Sequence, residues 1–140
     1  MEPTEEPQVA RTIELNDGSR MPVLGLGTWK SSHLPRSSVQ GAVEAAIAAG
    51  YRHIDTAYSY GNEADIGKAL RSKMQQGIIR REDMFIVSKD ITLCLSKSLS
   101  DLQLDYLDLY LVHFPVGLKV DHNIQNSYSE FKFVSVLTLR

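Results

Sequence analysis

The chain has 140 residues, enough for one domain of ordinary size and too few for a complete fold of about 250 residues. Its 15 Lys and Arg against 17 Asp and Glu give a formal charge of −2, which excludes the basic footprint typical of nucleic-acid binding or of an anionic membrane surface. The hydrophobic fraction is 43%, and no apolar run approaches the roughly 20 residues of a membrane span. We therefore expect a soluble protein whose partner is a small molecule or another protein.

The cysteine content and the opening segment indicate the compartment. Cys94 is the single cysteine, which excludes an internal disulfide, and with no Cys or His nearby at ligand spacing we predict a core thiol and no metal site. Residues 1–10 are acidic, lack the apolar stretch of a signal peptide and are predicted to be a flexible leader. Both features favour the cytoplasm.

The first predicted element is a β-hairpin. "RTIEL" and "RMPVL" are short alternating runs separated by Asn-Asp-Gly-Ser, and Asp-Gly between two such runs is a strong hairpin signal. "VLGLGTWK" follows as a candidate strand, in which Gly25 and Gly27 allow another group to approach closely.

Three later segments have apolar side chains at helical spacing. The first has Ser37 or Ser38 as a candidate N-cap and Gly50 just after its end, and the second begins at Asn62 as a cap and ends at Gly77. The three apolar stripes are Val39, Val43 and Ile47; Ile66, Leu70 and Met74; and Leu95, Leu99 and Leu102.

Predicted strands alternate with these helices. "YRHID" follows the first helix, "MFIVSK" the second and "YLDLYLVHF" the third. This order predicts a parallel sheet of βαβ units, either doubly wound or closed into a barrel, and composition alone does not choose between the two. In both architectures the ligand site lies at the carboxyl ends of the strands.

Four proton-handling side chains lie at those ends. Asp55 ends one strand, Tyr60 lies in the loop after it, and Lys89 and His113 end the next two strands. Any one of them alone is more often a solvated or structural group. As a set they can reduce a carbonyl group: a cation makes a phenol a competent acid, a carboxylate keeps the cation charged, and an imidazole orients the carbonyl oxygen.

Four segments carry a resemblance to the aldo-keto reductases, in particular to the aldose and aldehyde reductase branch: "LGLGTWK", "GYRHIDTAYSYGNEADIGKAL", "REDMFIVSK" and "SLSDLQLDYLDLYLVHFPVG". The resemblance runs from about Thr12 to Lys119. It implies a (β/α)8 TIM barrel with the hairpin across its bottom, NADPH as hydride donor, and reduction of small-molecule aldehydes or ketones as in NADP-dependent alcohol dehydrogenase and aldose reductase.

The resemblance also implies residue roles. Its catalytic tetrad corresponds to Asp55, Tyr60, Lys89 and His113, with Tyr60 as the proton donor. Cofactor contacts are implied for Gly27, Thr28, Trp29 and Asp55, and substrate contacts for Trp29, Tyr58, Tyr60, His113 and Phe114. A Rossmann dinucleotide fingerprint is excluded, because Lys30 stands where its third glycine would be.

The chain departs from the family after Lys89. Family members continue through a tryptophan-bearing loop that is here about nine residues shorter, within the range that a connection of this kind allows. The sequence predicts a two-residue link of Asp90 and Ile91, with Asp90 or Thr92 as the helix cap. Asp90 is also expected to offer Lys89 a second carboxylate.

A second departure gives the expected domain organisation. Residues 11–119 correspond to the N-terminal half of a barrel, and residues 120–140 to a divergent tail whose "EFKFVSVLTLR" could form a strand over one sheet edge. We expect a truncated variant with strands five to eight absent.

Two functions from different classes are therefore predicted. The first is NADPH-dependent carbonyl reduction by the tetrad, impaired or lost in this shorter chain. The alternative is a non-catalytic isoform that acts by association with another chain. Full-length family members are usually monomeric, whereas open strand edges favour self-association of this chain.

Overall fold

The structure is a computed structural model that describes residues 11–30, 35, 37–90, 94–113 and, for the backbone, 116–118 and 128–131. Two short 3-10 turns occur at Tyr58–Tyr60 and Arg81–Asp83. The strands and helices are β1 (Thr12–Glu14), β2 (Arg20–Pro22), β3 (Leu26–Gly27), α1 (Ser37–Ala48), β4 (His53–Asp55), α2 (Glu63–Gln75), β5 (Phe85–Lys89), α3 (Leu95–Leu102), β6 (Leu109–Leu111), β7 (Val116–Leu118) and β8 (Tyr128–Phe131).

The predicted hairpin is confirmed. β1 pairs antiparallel with β2, and the turn between them contains Gly18 at φ +80°, a conformation that glycine adopts without strain. The carbonyl oxygen of Pro22 lies 2.8 Å from Nδ1 of His53, the first residue of β4. The hairpin therefore contacts the amino ends of the strands, opposite to the candidate site.

The sheet is parallel and runs in the order β3-β4-β5-β6. Its strands are shorter than the apolar runs predicted, since β3 has two residues and β6 has three. Just before β6 the carboxylate of Asp108 accepts a hydrogen bond from the backbone N–H of Ile86 at 2.9 Å. A side-chain oxygen thus accepts a bond that a backbone carbonyl would accept in a regular sheet. Within the described sheet, β3 and β6 each have one neighbouring strand.

One core lies between this sheet and the three helices. The predicted stripes of α1 and α2 face it, and Val43, Ile47 and Ile66 are fully buried. Each such side chain contributes about 1.5–3 kcal/mol by leaving water. The core cluster consists of Val39, Val43, Ile47, Ile54, Ile66, Ala69, Leu70, Ile79, Met84, Ile86, Leu102, Leu107 and Tyr110, with Met74, Leu95 and Leu99 packed against it.

The ends of two helices follow the sequence prediction. Gly50 has φ +97° and Gly77 has φ +70°, and the amides after each helix return to carbonyls of its last turn. α3 ends instead at Gln103 with φ 55°, which no glycine signal could predict.

The predicted caps are partly wrong. Asn62 precedes α2, but its side-chain amide donates to the carbonyl oxygen of Thr28 at 2.8 Å and makes no capping bond. α1 begins at Ser37, and Ser38 lies inside it with Oγ donating to Pro35 O at 2.6 Å.

Helices α2 and α3 approach to backbone contact. A Cβ placed on Gly67 would lie 2.6 Å from the carbonyl oxygen of Leu102 and 2.8 Å from that of Asp101. Only glycine leaves room for such an approach. The contact brings the first turn of α2 close enough to α3 for side chains of the two helices to bond.

The connection after β5 is described in part. α3 begins at Leu95, with Cys94 as its N-cap residue and no side-chain capping bond. Residues 91–93 of the predicted link, including the candidate cap Thr92, lie outside the described residues. The side chain of Asp90 bonds to the turn before α2.

The last described strands form a separate ribbon. β8 pairs antiparallel with β7, with Phe131 opposite Val116, and does not extend the parallel sheet. The segment predicted to cover an edge of the parallel sheet, "EFKFVSVLTLR", shares only Glu130 and Phe131 with β8, and β8 pairs with β7 instead. Residues 132–140 lie outside the described residues. None of the helices in the described part of the chain is long and apolar enough to cross a membrane.

Candidate active site

Strand register places the predicted site residues on one face of the sheet. Gly27 pairs with Asp55, and Asp55 pairs with Val87. Lys89 lies two residues beyond Val87 and therefore projects from the same face. Lys89 pairs with Leu111, the last residue of β6, and His113 lies two residues beyond Leu111. The carboxyl ends of four strands thus converge.

The predicted ion pair between Lys89 and Asp55 is present. Lys89 Nζ donates to Asp55 Oδ1 at 2.8 Å and to Oδ2 at 2.7 Å, and also to Thr56 O at 3.1 Å. The lysine side chain is 12% exposed and that of the aspartate 39%, so the pair is open to a ligand on the carboxylate side. Asp90 does not compete for Lys89, because the hydrogen bonds of the ammonium go to Asp55 and Thr56.

Tyr60 and His113 complete the cluster. Tyr60 ends the 3-10 turn after β4, and Lys89 Nζ lies 5.1 Å from the centroid of its ring. The rings of Tyr60 and His113 meet edge to face, with centroids 5.7 Å apart and an interplanar angle of 73°. The structure therefore brings all four predicted tetrad residues together.

Two further polar residues lie at this site: Ser59, which the sequence reasoning missed, and Asp90, for which it predicted a different partner. The backbone N–H of Ser59 donates to Asp90 Oδ2 at 2.8 Å, and Ser59 Oγ lies 3.3 Å from Nδ1 of His113. Asp90 Oδ2 is 3.9 Å from the same nitrogen. The available signal was an acid directly after a strand end and a serine next to the tyrosine.

The loop after β3 is fastened to the end of β4. Both N and Oγ1 of Thr28 donate to the carbonyl oxygen of Asp55, at 3.1 and 2.9 Å, and Thr28 is 5% exposed. Asn62 in turn holds the carbonyl of Thr28. These bonds fix the backbone around the Asp55 carboxylate.

A groove of about 260 Å³ opens between the end of β3 and α1 and is lined in part by Gly27, Thr28 and Trp29. A Cβ on Gly27 would meet nothing within 4 Å, so the backbone there is open to a ligand. Trp29 is 71% exposed and Tyr58 is 41% exposed, which leaves two aromatic surfaces beside the site. The remaining predicted substrate contact, Phe114, lies outside the described residues.

A buried carboxylate supports the site from behind. Glu63, the first residue of α2, accepts from Ser88 Oγ at 2.8 Å and from Ser98 Oγ at 2.5 Å, which joins α2, β5 and α3. Burial raises the pKa of Glu63 above its ordinary value of 4.5, and the two serine hydrogen bonds oppose this shift without cancelling it. This role could not be predicted from the sequence, because Glu63, Ser88 and Ser98 lie far apart in the chain.

The raised pKa of Glu63 predicts a pH-dependent stability. Between pH 4.5 and the raised pKa, the folded chain binds more protons at this residue than the unfolded chain does. The stability contribution of Glu63 is therefore complete below pH 4.5 and is lost as the pH rises through its folded-state pKa. We expect the free energy of unfolding of the wild type, relative to Glu63→Gln, to fall across this window.

Urea unfolding of both chains at a series of pH values measures this difference. Subtraction of the free energy of unfolding of Glu63→Gln from that of the wild type at each pH cancels the contributions of the titrating groups that the two chains share. Glu63→Gln therefore serves as the control. A difference that is constant from acid to neutral pH, or that grows in favour of the wild type, would contradict the assigned shift.

Parallel βα units with titratable side chains gathered at the carboxyl ends of the strands define a protein of the α/β class, in which barrels and doubly wound sheets share this arrangement. The aldo/keto reductase family model matches residues 23–132, and the chain belongs to this family. The match continues past residue 119, where the sequence reasoning placed the start of the tail.

Individual relatives agree with this assignment. The chain is 48% identical over 115 residues to aldo-keto reductase family 1 member C23-like protein of Equus caballus, covering 76% of this chain and 36% of the relative. It is 44% identical over 122 residues to estradiol 17 beta-dehydrogenase 5 of Mus musculus, covering 81% of this chain and 38% of the relative.

A solved structure supports the same fold. The crystal structure of a Bombyx mori aldo-keto reductase in complex with NADP superposes with a TM-score of 0.74 at 38% identity, covering 79% of this chain and 40% of that one. The chain thus spans less than half the length of the relatives that it matches.

Proposed function

We propose that this chain carries the carbonyl-reducing site of an NADPH-dependent aldo-keto reductase. In this reaction the carbonyl carbon of an aldehyde or ketone gains a hydride, its oxygen gains a proton from Tyr60, and NADPH becomes NADP+. The observation that carries the proposal is the Lys89 ammonium, bonded to both oxygens of Asp55 and 5.1 Å from the Tyr60 ring.

The proton comes from Tyr60 in this proposal. As the phenol gives its proton to the carbonyl oxygen, the Lys89 ammonium stabilises the phenolate that is left. Asp55 provides the opposite charge for Lys89, whose side chain is only 12% exposed. A later proton from solvent restores the phenol.

His113 is proposed to orient the carbonyl group. Its ring meets that of Tyr60 edge to face with centroids 5.7 Å apart, which places the imidazole next to the proposed acid. A donor that is already in place where negative charge develops stabilises the transition state without reorganisation.

The residues beside the tetrad fit one end of a nicotinamide cofactor. Gly27 leaves open space at the strand end, and Trp29 presents an exposed ring beside the groove. We propose that Gly27, Thr28, Trp29 and Asp55 hold this end. The choice of cofactor is supported by the relative that was solved in complex with NADP. When bound, NADPH supplies the hydride.

The substrate class is a small carbonyl compound with apolar surface. Trp29 and Tyr58 offer exposed aromatic rings beside the acid, and Phe114 is proposed to join them. A chain with a single cysteine suits the reducing cytoplasm, which is the proposed location, and no nucleic-acid or membrane partner is proposed.

Cofactor binding by the purified chain tests this proposal. Trp29 is the only tryptophan, so its emission reports on this site alone. We expect NADPH to quench that emission saturably, whereas adenosine monophosphate, which lacks the nicotinamide, should not. NADPH that leaves the emission unchanged at every concentration would contradict a cofactor site at Trp29.

An alternative function rests on the two sheet edges. Within the described residues β3 and β6 each have one neighbouring strand, and an unpaired strand edge can pair with another chain. In this second case the chain is proposed to act by association and without catalysis. Size-exclusion chromatography over a range of concentrations discriminates the two. A monomer that turns over aldehyde would exclude this alternative.

A further inference from the structure

Three consecutive residues at the end of β5 bond to β4 and to the chain that follows it. Ser88 donates to Glu63 of α2, and Lys89 donates to Asp55 at the end of β4, as described above. Asp90 Oδ2 accepts from the backbone N–H of Ser59 at 2.8 Å. The first two contacts stabilise the core and the ion pair. The third lies beside the proton donor and has no part in the chemistry proposed above.

Asp90 is itself held firmly. Its backbone N–H donates to Leu111 O at 3.1 Å, which continues the pairing of β5 with β6, and its side chain is 21% exposed. The backbone at Asp90 is therefore held between β5 and β6, and its carboxylate extends from this point. Through Ser59 it fixes the turn whose next residue is Tyr60.

The same carboxylate also faces His113. Asp90 Oδ2 lies 3.9 Å from Nδ1 of His113, whose side chain is 15% exposed, and Ser59 Oγ lies 3.3 Å from the same nitrogen. The hydroxyl of Ser59 is within hydrogen-bond distance of this nitrogen, and the Asp90 carboxylate lies just beyond that distance. A hydrogen bond to one ring nitrogen sets the orientation of the other.

We propose that Asp90 is a positioning residue of the reductase site, which holds the Tyr60 turn through Ser59 and so aligns Tyr60 with His113. The inference rests on the proposed function. Asp90 acts through Ser59, and no contact of Asp90 with substrate or cofactor is part of the proposal. Its effect is one of geometry, because small displacements of an acid from its acceptor cost much of the rate.

Kinetics of two substitutions test the proposal. Asp90→Ala should lower kcat for aldehyde reduction by about 10- to 100-fold, as expected for a misplaced catalytic group, with the KM for NADPH unchanged. Asp90→Asn should retain most of the activity, because its amide oxygen can accept the same bond from Ser59. The exposed Asp105→Ala is the matched control and should match the wild type.

Amide hydrogen exchange gives a readout that needs no cofactor. The Ser59 amide should exchange faster in Asp90→Ala than in the wild type, and at the wild-type rate in Asp90→Asn, because the amide is protected by its bond to residue 90. The amides of β5 should keep their protection in all variants, which checks that each is folded.

The outcomes separate this inference from the proposed function. An active wild type together with a fully active Asp90→Ala overturns the inference alone, as does a loss of activity in Asp90→Ala with unchanged Ser59 exchange. A wild type that reduces no aldehyde overturns the proposed function and the positioning role together. Global unfolding of Asp90→Ala, with folded Asp90→Asn, would assign the bond to stability and overturn positioning.

Discussion

Tyr60→Phe is expected to lower kcat for aldehyde reduction by about 10²- to 10⁴-fold, the range that a positioned general acid contributes. The substitution removes one hydroxyl and keeps the ring that packs against His113 and lies beside Lys89. Substrate and NADPH affinity should change little, because the lost group acts on the transition state. Steady-state NADPH oxidation with an aromatic aldehyde measures the effect.

Tyr51→Phe is the matched control. Tyr51 precedes β4 and lies at the opposite end of that strand from Asp55, so the same chemical change there should leave kcat unchanged. Saturable quenching of Trp29 by NADPH should persist in both variants. Equal kcat values for Tyr60→Phe and the wild type would show that Tyr60 is not the acid.

Asp108→Ala is expected to have the largest effect on stability, a loss of about 3–5 kcal/mol, as for removal of one partner of a buried ion pair. Asp108 Oδ2 lies 2.8 Å from Arg81 Nη2 and also accepts from the N–H of Ile86, and the two ionic side chains are 7% and 16% exposed. The substitution leaves a buried guanidinium without its carboxylate and an N–H without its acceptor.

Arg81 retains other contacts, which limit the loss. Its guanidinium donates to Met84 O and Tyr106 O at 2.9 Å and lies 3.9 Å from the centroid of the Tyr106 ring. Urea unfolding measures the change as a lower midpoint.

Glu14→Ala is the control, because Glu14 and Arg20 form an exposed pair at 3.6 Å whose loss should be hard to detect. Asp108→Asn, which keeps an acceptor for Ile86, should lose less than Asp108→Ala. Equal midpoints for the wild type and Asp108→Ala would show that the buried pair contributes no net stability.

Much of the fold could be predicted from local pattern. Val39, Val43 and Ile47 are spaced four residues apart, so they lie on one face of a single helix. The glycines after α1 and α2 mark the positions where the backbone takes a left-handed conformation. Such signals depend on near neighbours in the chain, so no tertiary information is required to find them. Strand lengths were overestimated, because apolar runs continue past the ends of the hydrogen-bonded ladders.

The tetrad could be predicted for a similar reason. In a parallel sheet all carboxyl ends lie at one edge, so Asp55, Lys89 and His113 had to converge once their strands were assigned. The ion pair between Asp55 and Lys89 is then expected. Asp55 pairs with Val87, and Lys89 lies two residues further along β5 on the same face, with the opposite charge. The predicted bond between Asp90 and Lys89 was wrong. The two residues are adjacent in the sequence, but successive side chains of a strand point to opposite faces, and Asp90 bonds to Ser59 instead.

The sequence by itself determined the βα order, the apolar stripes and which side chains reach the site edge. Only the tertiary structure decided that Asp90 holds the turn of Tyr60, that Asn62 bonds to the loop after β3, and that Glu63 joins Ser88 and Ser98. The physical reason is that periodicity is set by nearest neighbours along the chain. Hydrogen bonds between separate elements depend on strand register and on how closely the helices approach. Burial adds a further condition, because a polar group removed from water needs a partner within the protein.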